Sequence, residues 1–580
     1  MHGRFLMLLD RTGLGLDPAE SRLLRGSAAK AGLTVRCSTP ALLLACSSEL
    51  DCILLDDGAG ALLGRGFERG TNRKVDANAL QPLADRQPSA WTERFWGAWL
   101  AIVKPAGAVG YAVREPSGLF PAYYAAGEAS LFVASDATLL REVRAIGGAI
   151  AWPRLASGLV HPDLRVSETA LSGCNELIPG CALRLPGLGQ ELAWSPADHA
   201  SGPKEVRSLK WSADELRETL QACVAAWSRG SRRLLLELSG GLDSSIVAAC
   251  LAAAGADVVA ATMVSPTPDG DERIYAAAVA EHLGIPLIVK HLDPLQVDFS
   301  RSAAAHLPRP SSHAFSQAAD ALLLEASAEA GADAFICGAG GDNVFGFMGS
   351  AAPAADALLA SGSLLPFAAA LADLALVHDT SVWHAGLLAA RQVLLSPFPR
   401  RWPAESSLLS RECIAAARSC SAAHPWLAAG TLLPGKRRHV EAILAIQNHL
   451  ESLERTAFAP LYAPLLSTPV VECCLAVPSW LWNSGGRNRA VARQAFQAML
   501  PASIIERRTK GALTGLSGAL LRQHRPVIRE LLLEGRLAAE RMIDRTAVEA
   551  LLRDDASFSG PGFHRLLEFA QVEAWSRHWT

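Results

Sequence analysis

At 580 residues the chain is too long for one ordinary hydrophobic core, so two or more domains are expected. Half of its residues are apolar and 19% are charged, the composition of a well-packed globular protein, and a formal net charge of −3 argues against a protein that grips nucleic acid through its phosphates. The twelve cysteines are scattered, with no spacing that suggests zinc, and fit buried thiols in a reducing cytoplasm, the expected location.

The first apolar run, residues 5–9, is short and ended by Asp10 and Arg11, which predicts an opening strand rather than a signal peptide. Up to about residue 195 short apolar runs alternate with Gly, Pro and Asp, and strands are predicted at 95–103, 109–113, 131–134 and 181–185. Residues 196–210 are polar, with Gly202, Pro203 and several charges, and read as a linker. Ser212 and Glu215 then have the spacing of a capping box and predict a helix start.

From residue 233 the rhythm changes to alternating strands and helices, with strands predicted at 233–238, 258–264, 287–292 and 334–337. Such alternation requires crossover connections and a parallel sheet covered by helices on both faces. Beyond about residue 350 the chain is rich in Ala and Leu and reads as mostly helical. Its most apolar stretch, 357–372, is interrupted by Gly362 and Pro366 and falls short of the ~20 residues of a membrane span, so a buried helical segment is expected.

Two loops carry chemistry. Leu-Ser-Gly-Gly-Leu-Asp-Ser-Ser at 238–245 lies between a predicted strand and the apolar segment 246–253, the setting of a phosphate-binding loop. Gly240 and Gly241 let the backbone approach an anion, Ser239, Ser244 and Ser245 offer hydroxyls, and the following helix presents free N–H groups and its positive dipole end. Asp243, an acid in a loop built for an anion, makes sense as a Mg²⁺ ligand shared with the phosphates. A Walker A loop would place a Lys on the β- and γ-phosphates, and no Lys stands here. Gly-Ala-Gly-Gly-Asp-Asn-Val-Phe at 338–345 follows the predicted strand 334–337, which puts it at the same sheet edge, with Asp342 as a second metal ligand.

The loop at 239–245 resembles the pyrophosphate loop of enzymes that split ATP into AMP and pyrophosphate, which implies attack at the α-phosphate and acyl adenylation. Over most of its length the chain resembles the asparagine synthetase superfamily. The matching phrases are this loop, the strand at 261–264, the glycine loop at 338–342, Ala-Pro-Leu-Leu-Ser at 463–467 and Lys510 with Gly511. Before the linker they are Trp-Gly-Ala-Trp-Leu at 96–100, Arg-Glu-Pro-Ser-Gly at 114–118, Ala-Ser-Asp at 134–136 and Ile-Pro-Gly at 178–180. The resemblance implies an α/β fold in two parts. Residues 1–195 would form a glutaminase-like, Ntn-type α+β sandwich; 196–211 would be a linker. Residues 212–580 would form a parallel-sheet PP-loop ATP pyrophosphatase domain with a helical C-terminal part.

It also implies roles. Leu238, Ser239, Gly240, Gly241, Asp243, Ser244, Ser245, Met263, Gly338, Gly340 and Gly341 would hold ATP, with Mg²⁺ on Asp243 and Asp342. Lys510 matches the family's catalytic lysine, and Glu451 or Glu454 could take the proton of an attacking amine. In glutamine-using members a Cys follows the initiator Met and releases ammonia, whereas residue 2 here is His. Ammonia release is therefore expected to be absent, with the amine arriving on the substrate. Two subfamilies fit that description, β-lactam synthetases and the isopeptide-forming cyclases of lasso peptide biosynthesis.

The cyclases are favoured by Pro-Leu-Leu-Ser-Thr-Pro-Val-Val-Glu at 464–472, Trp-Leu-Trp-Asn-Ser-Gly-Gly-Arg-Asn-Arg at 480–489 and Arg-Arg-Thr-Lys-Gly at 507–511. Ala339 departs from relatives with Glu or Tyr at the matching position, which puts a β-lactam synthetase dyad in doubt. The expected partners are then a precursor peptide, with the leader-binding protein and leader peptidase of the same pathway. The alternatives are a β-lactam synthetase, an ammonia-dependent amide ligase, or an inactive homologue that only binds a peptide.

Overall fold

A computed structural model describes the chain except residues 1–2, 84–85, 106–108, 202–207, 268–269, 312–315, 396–401, 509–510, 512–513, 554–561 and 580. The first part is built on two six-stranded antiparallel sheets. Phe5–Asp10 is central in one, between Leu42–Cys46 and Ser130–Ala134; Phe95–Val103 is central in the other, between Gly60–Glu68 and Tyr111–Arg114.

The opening run is apolar at every position because both of its faces are covered. Phe5, Met7 and Leu9 join Leu63, Leu100 and Ile102 in the core between the sheets. Leu6 and Leu8 turn the other way, onto Leu24 and Ala28 of the helix Pro18–Lys30.

The second part is built on a five-stranded parallel sheet in the order Leu287–His291, Val258–Val264, Leu234–Glu237, Ala334–Cys337, Leu461–Tyr462. Leu234 and Leu236 pack on the helices Leu209–Ser228 and Leu242–Ala253, while Leu235, Ala261 and Phe335 pack on Leu323 and Ala326 of the helix Ser316–Ala330. The chain runs from the central strand to one side of the sheet, then returns to add the strands at 334 and 461 on the other. The strand order therefore reverses between Leu234–Glu237 and Ala334–Cys337, and loops leaving the two strands there diverge and open a crevice.

The structure departs from the sequence expectations in three places. The long helix starts at Leu209 with Ser208 as its cap, whose hydroxyl accepts the Trp211 N–H at 3.1 Å; Ser212 is buried inside the first turns. The predicted linker holds the helix Pro196–Ala200 and the first residues of that long helix. The apolar stretch at 357–372 is two helices, Ala352–Ser361 and Leu364–Val377, broken where Gly362 takes a left-handed conformation, and Leu364 and Leu365 are largely exposed. Among the described residues no single helix is long and apolar enough to cross a membrane, although Leu364–Val377 and Val382–Leu395 pass that test as a pair bent by 119°.

The two parts are locked by a buried ion cluster. Arg114 and Arg165 from the first part and Arg309 from the second surround Glu176 and Glu451, with six nitrogen–oxygen separations between 2.5 and 3.4 Å. The Tyr123 hydroxyl donates to Glu451 at 2.9 Å.

Candidate active site

The loop after the central strand and the loop after Ala334–Cys337 meet in the crevice and line a cavity of about 530 Å³. Gly240 has φ of +73°, and a Cβ there would sit 2.5 Å from the Ala276 nitrogen, so only glycine fits. A Cβ on Gly341 would collide with the Asp243 carboxylate, which is how the second loop comes so close to the first. The Ser239 and Ser244 hydroxyls lie 3.2 Å apart, and Ser245 donates to the Gly241 carbonyl at 2.7 Å. No side chain caps the first turn of Leu242–Ala253, so its N–H groups face the crevice as an anion seat.

Of the residues assigned to the nucleotide, Leu238, Ser239, Gly241, Asp243, Ser244, Met263 and Gly338 line this cavity. Gly240, Ser245, Gly340 and Gly341 lie in the same two loops. Apolar Leu238, Ala261, Met263 and Leu323 offer a surface for a flat base. Toward the helical part, Arg455, Arg489 and Arg507 pair with Glu237, Asp243 and Glu272, and Arg493 in the same wall donates to Asn488 and to the Ile505 and Arg507 carbonyls. Burial pushes the Arg493 guanidinium down to about 10, and repulsion from Arg489 and Arg487 adds to it. Such crowding of like charge is relieved by a polyanion, and guanidinium groups pair well with phosphates.

The two acids expected to hold Mg²⁺ converge. A single nitrogen of Arg489, Nη1, lies 3.1 Å from an Asp243 oxygen and 2.6 Å from an Asp342 oxygen, so both carboxylates point at one cation-sized position. Among the described residues no group of three or more His, Cys, Asp or Glu forms a metal cage. Two hard carboxylates beside a phosphate seat fit Mg²⁺, which is commonly bound by one or two carboxylates, waters and substrate phosphates. Bound there, the ion would neutralise charge on the β- and γ-phosphates and improve pyrophosphate as a leaving group.

The two candidate bases are placed elsewhere. Neither Glu451 nor Glu454 lines the nucleotide cavity. Burial alone would raise Glu451, but Arg165 and Arg309 outweigh it and hold the carboxyl below its ordinary value, which suits an ion-pair anchor better than a proton acceptor. It borders a second pocket of about 190 Å³ between the two parts, which shares Leu450 with the nucleotide cavity. Glu454 pairs with Arg301, and its backbone N–H donates to Asp320 at 2.5 Å. Arg455, which follows Glu454, bridges Glu237 and Asp320. Lys510 lies outside the described residues.

Arg489, Glu237 and Glu272 join the site without a role having been expected for them. Glu237 ends the central strand in the cavity wall, and burial raises its pKa against the opposing pull of Arg455. Glu272 accepts hydrogen bonds from Arg507 at 2.5 Å and from the Gly511 N–H at 3.0 Å. An acid directly before the helix Arg273–Leu283 was the available signal for Glu272. Arg489 closes the phrase at 480–489 and Glu237 comes just before the phosphate loop, but neither position reveals the partner it meets.

A phosphate seat at a switch point, an acid pair and an arginine-rich wall define a nucleotide-using α/β enzyme. The family model described as asparagine synthase matches residues 215–577, well over half of the chain, and the chain belongs to that family. It is thereby an ATP-dependent, AMP-forming ligase that makes carbon–nitrogen bonds.

Among solved structures it is similar to glutamine phosphoribosylpyrophosphate amidotransferase from B. subtilis complexed with ADP and GMP. That likeness has 12% identity and a TM-score of 0.21, and covers 49% of this chain and 65% of that one. A structure described as the allosteric regulatory enzyme of purine biosynthesis is similar at 11% identity and a TM-score of 0.21, over 51% of this chain and 82% of that one. At such scores neither informs the fold or the function. No curated protein matches the chain.

Proposed function

We propose that this ligase closes a macrolactam in a peptide, as the lasso peptide cyclases do. The side-chain carboxylate of an Asp or Glu in the peptide attacks the α-phosphate of ATP, giving an acyl adenylate and pyrophosphate. The peptide's own N-terminal amine then attacks the acyl carbon, forming the amide and releasing AMP.

The observation that carries the reading is Ala339 in the cavity wall. Its methyl group neither takes a proton nor bonds a small substrate, and it leaves room beside the phosphate seat for a bulky acyl group. A second observation points the same way. None of the twelve cysteines lines the pocket between the two parts, so that pocket has no thiol to release ammonia from an amide donor. An amine brought by the peptide itself removes the need for one.

Mg²⁺ on Asp243 and Asp342 belongs to the same proposal. In the protein the serine hydroxyls and helix N–H groups seat the phosphates, and Arg493 and Arg507 draw off the charge that develops as pyrophosphate leaves.

The test is mass spectrometry of a leader-bearing precursor peptide incubated with this chain, ATP, Mg²⁺ and the leader peptidase. Loss of one water from the core peptide, abolished by Asp243→Ala, supports the reading. Amide formation only with free ammonia, or ring closure only on a small β-amino acid, would replace it with the corresponding family activity. No pyrophosphate release with any of these would leave a peptide-binding homologue.

A further inference from the structure

We propose that Arg489 is the resident counter-cation of the Asp243–Asp342 pair and makes metal entry conditional on the nucleotide. This rests on reading those two acids as the metal ligands. One guanidinium nitrogen reaches both carboxylates, at 3.1 and 2.6 Å, and so takes the position that a shared cation would need. The arrangement is built rather than casual. Arg489 is only 9% exposed, has φ of +54° and ψ of +35°, and lies 5.4 Å from the Phe347 ring centroid. A non-glycine residue in the left-handed region persists only where its surroundings hold it.

Two cations do not share one partly buried point, because their repulsion there is far stronger than in water. A free divalent ion must therefore expel the guanidinium from both acids, leaving a half-buried positive charge beside Arg493 and Arg507 in the same wall. ATP changes that balance. Its phosphates give Arg489 new anionic partners a few ångströms away, and the acids are released as the metal arrives with its phosphate ligands. Binding is then ordered, with metal entering together with the nucleotide and not ahead of it.

Mn²⁺ provides the readout, as the free paramagnetic resonance signal lost on titration into the full chain beyond that lost to the same nucleotide without protein. Wild type with a non-cleavable α,β-methylene analogue of ATP is expected to take up Mn²⁺, and without the analogue to leave it free. Arg489→Gln is expected to bind Mn²⁺ without nucleotide about tenfold or more tightly than wild type, since a close like charge has been removed. Arg489→Lys, which keeps the charge, is expected to stay nucleotide-dependent.

Equal uptake by wild type with and without the analogue overturns the ordering, as does no gain in a folded Arg489→Gln. Where that variant fails to fold, the wild-type pair of titrations decides. Failure of nucleotide-loaded wild type to take up Mn²⁺ overturns instead the assignment of the two acids to a metal.

Discussion

The carboxylate of Glu272 accepts the backbone N–H of Gly511 at 3.0 Å, tying the chain directly after the Lys510 position to the start of the helix Arg273–Leu283. The same oxygen receives Arg507, whose guanidinium also stacks on the Tyr275 ring at 3.7 Å and donates to the Gly240 carbonyl at 3.3 Å. One acid thus joins the late Lys-Gly segment to the phosphate loop. Glu272→Ala is expected to slow pyrophosphate release by about tenfold or more, through the loss of two charge-assisted hydrogen bonds, from Arg507 and Gly511. Single-turnover measurements with saturating ATP check it; an unchanged rate removes Glu272 from the machinery.

Asp243→Asn and Asp342→Asn each keep the shape and lose the charge. Each is expected to lower ATP–pyrophosphate exchange by about a hundredfold or more, beyond what loss of a supporting contact around a metal costs. High Mg²⁺ is expected to rescue the single variants partly and the double variant not at all.

Ala339→Tyr places a ring in the wall beside the phosphate seat. The KM for the peptide is expected to rise by about tenfold or more, with the KM for ATP little changed, because a core overfilled by several carbons rejects the bulky partner first. Equal changes in both constants would show that the substitution distorts the nucleotide loop instead.

Much of this site was legible in the sequence because its decisive residues are local. Two glycine loops follow two buried apolar strands, and the run of β-branched and aliphatic residues in 258–264 and 334–337 fixes the strand bounds to the residue. What escaped is long-range. Arg489 meets Asp243 across 246 positions and Asp342 across 147, and no spacing rule connects them. Glu451 read as a candidate proton acceptor, yet its partners Arg114 and Arg165 come from the other part of the chain. The helix start was misread for a related reason. Ser208 and Ser212 are both plausible caps, and the second is buried inside the helix Leu209–Ser228 while the first accepts the Trp211 N–H.

Stability should depend on pH in two opposite ways. Glu451 is held below its ordinary value of 4.5 by Arg165 and Arg309 despite burial, so its contribution is fully present above 4.5 and is lost as pH falls through the lower folded value. Glu451→Ala leaves three buried arginines sharing Glu176 alone, and is expected to cost about 3–5 kcal/mol at neutral pH. The difference between thermal melts of wild type and variant is expected to be greatest at pH 7 and to narrow only as pH falls below 4.5.

Glu115 behaves in the reverse sense. It is fully buried, and burial raises its carboxyl to about 7 against the hydrogen bonds from Ser117. A carboxyl raised on folding costs stability as pH climbs from 4.5 toward 7, so Glu115→Gln is expected to raise the unfolding free energy at pH 8 by on the order of 1–3 kcal/mol, and to change little at pH 4.5. A variant less stable than wild type at pH 8 would show that the charge is needed.

The ion cluster between the two parts has a consequence for how the enzyme can be divided. Arg114, Arg165 and Glu176 come from before the 196–211 segment, and Arg309 and Glu451 from after it. A cut at that segment would hand each fragment a set of naked buried charges, including a surplus arginine on one side and a bare Glu451–Arg309 pair on the other. The N-terminal portion is therefore a permanent scaffold for the ligase. Neither fragment is expected to be obtained soluble alone, and co-expression of the two should restore a complex.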